Sequence, residues 1–259
     1  IYKNLVNEGV LEIKNGFDYT VEIVATDFAG NTSSIKIPIK GIANNMLFKK
    51  SMDTTLFKIN AKLFNKFQQK NVTIAFPKNT FYNDFYLDFK VHNGVAQIHK
   101  PNIPLDKKYT LTFDVSKYTE AEKNQLYIVN VSNKKFSNYQ ETIKKKLKFY
   151  TTTRALGKYT LLADNQKPTI NLKYFKSGQW LTKLNSIIVK ISDNGSGIKS
   201  YRATIDNEWI LMEYNLKKQQ LVYNFKDKPL LGVKHEFNIV VSDNVGNTET
   251  LGATFYKKQ

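Results

Sequence analysis

The 259 residues contain no cysteine, which excludes disulfides, thiol nucleophiles and thiolate metal sites. Histidine is almost as scarce, with His92, His99 and His235 only. A strand holds a metal through H-x-H, which puts both rings on one face. His92 and His99 are seven apart with no acidic residue between them, so on one strand they would face opposite sides. His235 opens a strand beside Lys234 and Glu236, and all three histidines are read as surface or turn residues. Ser-His-Asp, H-E-x-x-H and phosphate-loop patterns are missing, so nothing here points to catalysis on this chain. No run of 18 apolar residues is present to span a membrane as a helix. There is no signal peptide either, and the chain opens on Ile1 in apparent mid-domain, so it reads as a fragment whose upstream part would carry any targeting sequence.

What is abundant is positive charge: 39 Lys and Arg against 22 Asp and Glu, a formal +17. The lysines are scattered along strands and turns, and the densest run is Lys144-Lys145-Lys146. Nucleic-acid grooves gather basic residues on one face, whereas edge strands use lysine to block sheet-to-sheet pairing. The pattern is therefore read as solvated edges, without a nucleic-acid partner and with room for attraction to anionic envelope polymers.

Period-two alternation dominates and helical periodicity is nearly absent. Seven strands are expected at 169–174, 186–192, 199–205, 208–212, 220–223, 235–242 and 249–256. They are separated by turns at Asp193–Gly197, Asp206-Asn207, Lys226–Pro229 and Asp243–Asn247. Seven short strands in about ninety residues is the pattern of an immunoglobulin-like sandwich. Further strands are expected at 72–77, 86–91, 108–115, 126–131 and 146–151, with one helical turn at 119–125 capped by Thr119.

One turn is used twice. Asp27-Phe-Ala-Gly30-Asn31-Thr32 and Asp243-Asn-Val-Gly246-Asn247-Thr248 stand 216 residues apart, as do Gly16 and Gly232. Val21, Ile23 and Ala25 fall on Phe237, Ile239 and Val241. Under that offset residues 1–41 supply only the last strands of a sandwich, and half a sandwich cannot bury its face. The expected architecture is all-β: tandem immunoglobulin-like or fibronectin-like β-sandwich modules, the N-terminal one incomplete. Its parts are a half-sandwich at 1–41, a middle β-sandwich-like domain at 44–163 and a C-terminal sandwich at 167–259, with Ala163–Pro168 as linker.

Two residue sets could bind. Asp193, Asp206, Asp243 and Asn247 offer hard oxygen ligands for calcium, with Asp27 the equivalent in the first module. The competing role is local, since Asp and Asn in turns bond their own backbone. Trp180 and Trp209, with Tyr201 and Tyr214, could form an aromatic surface for sugars. In Asp206–Tyr214, Trp209, Leu211 and Glu213 share one face while Ile210, Met212 and Tyr214 share the other, so some of these aromatics must be core.

Ser192–Asn215 and His235–Thr250 resemble the C-terminal segment of large secreted proteins of Bacteroidetes-type bacteria whose N-terminal part is a lysostaphin-like (LytM-type) zinc endopeptidase. Ala75–Phe89 and Leu156–Ile170 are similar to the region before that end, and Tyr19–Ile39 resembles the strand pair closing the module after the peptidase. The family's zinc site needs H-x3-D and H-x-H, and neither stands in this sequence. The resemblance thus implies a non-catalytic portion, with zinc expected only in an upstream catalytic domain; calcium at the aspartate turns is the one ion the residues themselves suggest here. It also implies export to the periplasm, outer-membrane surface or medium. The implied partners are the upstream peptidase domain and peptidoglycan. A stand-alone surface adhesin or carbohydrate-binding module is the alternative.

Overall fold

The computed structural model describes residues 10–43, 54–133 and 138–258, so the expected module starts at residues 1 and 44 lie outside the described residues. The chain divides into two units, one holding residues 10–43 and the other everything from 54 onward.

The first unit is a hairpin of β1 (Asp18–Thr26) and β2 (Thr32–Lys40), a two-stranded antiparallel sheet. Its Asp27 side chain accepts from Ala29 N and Asn31 N at 2.9 Å each, and Gly30 takes φ +89, which costs an L side chain dearly. Ile23, Val24, Ile35 and Ile37 remain largely exposed.

The second unit begins with β3 (Lys58–Ile59), β4 (Asn65–Gln69), β5 (Val72–Phe76), β6 (Phe85–Tyr86), β7 (Phe89–His92), β8 (Val95–Ile98) and β9 (Tyr109–Asp114). There follow the helix α1 (Glu120–Gln125), β10 (Leu126–Asn130), β11 (Asn138–Tyr139), β12 (Ile143–Lys145), β13 (Lys148–Thr153) and β14 (Gly157–Ala163). Two five-stranded sheets, ordered β11-β10-β14-β8-β7 and β12-β13-β9-β5-β4, face each other across a core that includes Ile74, Phe76, Leu111, Phe113 and Ile128. Tyr109 and Tyr159 are fully buried, and both hydroxyls donate to the Ala155 carbonyl, at 2.9 and 2.6 Å. Burial holds the Tyr109 phenol well above its ordinary value. Helix α1 carries a capping box: Thr119 Oγ1 accepts from Glu122 N, while Glu122 Oε2 accepts from Thr119 N at 2.7 Å.

The last part contains β15 (Thr169–Lys173), β16 (Gln179–Trp180), β17 (Ser186–Ser192), β18 (Ile198–Ile205) and β19 (Glu208–Ile210). It ends with β20 (Glu213–Asn215), β21 (Gln220–Asn224), β22 (Lys234–Asp243) and β23 (Thr248–Tyr256). The sheets are β15-β17-β21-β20 and β16-β23-β22-β18-β19. In immunoglobulin lettering these are A-B-E-D and A′-G-F-C-C′, so the all-β, immunoglobulin-like topology stands in the strand order itself. Among the described strands only β16 runs parallel to its neighbour, pairing Gln179 with Phe255 and Trp180 with Tyr256. Phe237, Ile239, Val241 and Phe255 from one sheet meet Ile187, Val189, Leu221 and Tyr223 from the other, all 0–1% exposed.

Three expectations need correction. The stretch 86–91 is not one strand: β6 at Phe85–Tyr86 pairs with β3, and β7 at Phe89–His92 pairs with β8 in another sheet. The stretch 208–212 is not one strand: β19 ends at Ile210, and Glu213–Asn215 crosses to the opposite sheet to pair with β21. Ile210 and Met212 turn into the core on the way, at 5% and 2% exposure. His235 is not a surface residue. It is 0% exposed, two positions before Phe237 on the inward face of β22, its ring 5.2 Å from that of Phe255. Its Nδ1 lies 2.7 Å from Asp206 Oδ2, which supplies the polar partner that burial demands.

Candidate acidic centre at the junction of the two sandwiches

The linker between the sandwiches is short and pinned. Asp164 N donates to the Gln125 carbonyl at the end of α1, at 3.0 Å. Asn247, in the β22–β23 turn, donates through Nδ2 to the carbonyls of Asp164 (3.1 Å) and Gln166 (3.0 Å). Ser196 N donates to Asp164 Oδ2 at 2.6 Å, and Lys167 forms an ion pair with Glu249 at 3.7 Å. Gly195 is required here, because a Cβ would collide with the Asp164 carboxylate.

These contacts bring Asp164, Asp193 and Asp243 together, with one carboxylate oxygen of each within 4.8 Å of the others. Asp164 is 3% exposed and Asp243 0%. Asp243 Oδ1 accepts from Val245 N, Gly246 N and Asn247 N at 2.7–3.0 Å, and Oδ2 from Asn247 Nδ2 at 2.7 Å. Asp164 Oδ1 takes Gln166 N. Asp193 Oδ2 accepts from Gly195 N (3.0 Å) and Gly197 N (2.7 Å), while its Oδ1 is buried without a partner. Burial raises the Asp193 carboxyl above the usual aspartate value, and the charges of Asp164 and Asp243 push the same way against the two glycine amides.

Of the residues expected to bind calcium, Asp193 and Asp243 do meet. Asp206 does not join them, since it closes the β18–β19 turn and accepts from Glu236 N at 2.8 Å as well as pairing with His235. Asn247 points its amide nitrogen at three oxygens, so it serves as a clasp and not as an oxygen donor toward the cluster. Asp27 stands in the other unit with its carboxyl held below the ordinary value, chiefly by the Asn31 side chain. Asp164 escaped the sequence reading because it lies in the polar linker, with only its tertiary neighbours to mark it.

The aromatic set is dispersed. Trp180 is 55% exposed in β16 against Tyr256, and Trp209 is 54% exposed in β19. Those strands are the two edges of one five-stranded sheet, which separates them by roughly 19 Å at about 4.8 Å per strand. Tyr201 packs near Tyr214, with ring centroids 6.1 Å apart, and donates its hydroxyl to the Met212 carbonyl. No single platform joins the four.

His92 is exposed, and His99 uses Nδ1 to accept from Asp88 N at 3.1 Å. Burial lowers the His99 pKa, so the imidazole favours its neutral, accepting form.

No curated protein matches the chain. Residues 54–164, the middle sandwich, match the family model described as a Zu5-like domain. Among solved structures, the fibronectin(III)-like modules of Clostridium thermocellum CbhA align over 59% of this chain and 86% of that one, at 13% identity and a TM-score of 0.28. The fold is defined by strand order and not by that alignment.

Proposed function

We propose that this chain is a non-catalytic region of an exported cell-wall endopeptidase that positions or docks an upstream lysostaphin-like domain, its two C-terminal sandwiches acting as one stiff spacer element. The observation that carries the spacer reading is the pinned junction: Asn247 reaches across to two linker carbonyls while Ser196 N holds the Asp164 side chain. A flexible tether would leave those carbonyls to water. The lack of H-x3-D and H-x-H in the sequence and the formal +17 beside an anionic envelope agree with it. On this reading the partners are the catalytic domain of the same polypeptide and peptidoglycan or other anionic envelope polymers. The test is twofold. The purified chain should leave peptidoglycan intact, and the coding sequence upstream of Ile1 should carry the two zinc motifs. Hydrolysis by the chain alone, or an upstream sequence without them, defeats the reading.

The exposed Trp180 and Trp209 favour a second reading, a carbohydrate-binding or adhesive module. Saturable glycan binding lost in Trp180→Ala or Trp209→Ala would support it. The separation of the two rings requires two independent subsites, so each substitution should remove one class of binding and leave the other.

A further inference from the structure

We propose that the junction binds one Ca²⁺ through Asp164, Asp193, Asp243 and the hydroxyl of Ser196, bridging the linker to two loops of the C-terminal sandwich. Three aspartates crowded at one point are not in themselves a site, and two further observations concern the ligand they would take. Asp193 Oδ1 is buried with no hydrogen-bond partner. Ser196 is 0% exposed, and its Oγ is also without a partner. Ser196 sits within the cluster, its N–H on Asp164 Oδ2 and its carbonyl accepting from Asn244 Nδ2 at 2.8 Å. The cluster thus holds a buried carboxylate oxygen without a partner, and the residue whose N–H binds Asp164 carries a buried hydroxyl without one; a cation would engage both oxygens.

No described lysine or arginine is in ion-pair contact with the cluster. Lys144, on which the charge of Asp243 acts, gives its Nζ to the Asn124 carbonyl at 2.7 Å. Three mutually close carboxylates without an ion-pair partner repel one another, and a divalent ion would reduce their sum to a single negative charge.

The donor chemistry selects the ion. Every candidate ligand is oxygen, which suits hard cations and excludes a zinc or copper preference. Ligands on opposite sides of Ca²⁺ lie roughly 4.6–5.2 Å apart, twice its bond length, whereas about 4.2 Å is the limit for Mg²⁺. The three oxygens lie within 4.8 Å of one another, which places them inside the span of a Ca²⁺ coordination sphere. Three carboxylates and one hydroxyl leave positions for water, as an extracellular or sensor-range Ca²⁺ site commonly does. The backbone amides already on Asp193 Oδ2 and Asp243 Oδ1 preset the carboxylate orientations.

The proposal is independent of which enzyme lies upstream, and its failure would leave the spacer reading standing, because the Asn247 bonds pin the linker without metal. The test uses the full chain freed of metal with a chelator, then titrated with CaCl₂ and separately with MgCl₂ in a calorimeter. One Ca²⁺ per chain should bind with Kd between about 10⁻⁶ and 10⁻³ M, and more tightly than Mg²⁺. Ca²⁺ at a hundredfold excess over Kd should raise the melting temperature by roughly 5 °C or more. Asp193→Asn should weaken binding at least tenfold. Ser196→Ala, which removes only a hydroxyl, should weaken it severalfold while leaving the melting curve in chelator unchanged. Asp27→Asn, the matching turn in the other unit, should bind as the native chain does. Absence of saturable Ca²⁺ heat, preference for Mg²⁺, or native affinity in both Asp193→Asn and Ser196→Ala would overturn the assignment.

Discussion

In the β1–β2 hairpin Asp18 stands opposite Lys40 and Thr26 opposite Thr32; 216 residues on, in β22–β23, Lys234 stands opposite Tyr256 and Ser242 opposite Thr248. All nine pairings coincide under that shift, and so does the turn, with Asp27 N on Asn31 O at 2.9 Å and Asp243 N on Asn247 O at 3.0 Å. The surroundings do not. Ile239 is 0% exposed and its counterpart Ile23 is 54% exposed; Asp243 is 0% exposed and Asp27 open to solvent. Register and turn are thus written locally, by alternation and by an Asp-x-x-Gly-Asn signal, whereas burial depends on what packs against the ribbon. A two-stranded ribbon with its apolar side chains bared is marginal in water. In the second copy the turn faces the linker from the preceding sandwich, and its aspartate enters a charged cluster.

The largest contrast should come from the core position. Ile239→Ala should destabilise the C-terminal sandwich by about 2–5 kcal/mol in denaturant unfolding, while Ile23→Ala should move stability by no more than about 0.5 kcal/mol. Equal effects would mean that the first hairpin is buried after all.

The turn aspartates should differ less. Asp243→Ala leaves three partly buried backbone amides without their acceptor and should cost about 1–3 kcal/mol, with faster amide exchange at 245–247. Asp27→Ala removes bonds that water replaces, and its effect should be confined to faster exchange within its own turn.

The smallest effect concerns acid. Asp27 has its carboxyl lowered by Asn31 and the turn amides, so the stability it adds is present above the ordinary aspartate pKa and is lost as pH falls through the depressed value. Asp193 is raised by burial, so in chelator its sign is opposite: its ionisation opposes folding as pH rises through the elevated value. Carboxyl-carbon NMR titration should find Asp27 below and Asp193 above the usual range. The reverse order would refute the contrast between an open turn and a crowded one.

The longer strands of the C-terminal sandwich were legible because they alternate over at least five residues between Gly, Asn or Asp turns; β17 lies at Ser186–Ser192 as expected. β16 and β20, of two and three residues, carry no period to read. The burial of His235 was available in the sequence, since it shares parity with Phe237, Ile239 and Val241, but its charged neighbours Lys234 and Glu236 outweighed that signal. Asp193 and Asp243 were legible as oxygen-bearing turns. Asp164 was not, because its role arises from the approach of residues 32 and 83 positions away in sequence. Nor could the dispersal of Trp180 and Trp209 be read before the sheet order placed them on opposite edges.

The central claim is that the two sandwiches of the second unit are held at a fixed mutual orientation through the linker. With no native cysteine to interfere, nitroxides can be placed at Lys66→Cys in β4 and Lys217→Cys in the β20–β21 turn, both exposed positions, and their separation measured by pulsed dipolar spectroscopy. A single narrow distance distribution that broadens in Asn247→Ala is the expected result. A broad or multimodal distribution in the otherwise native chain would contradict the account.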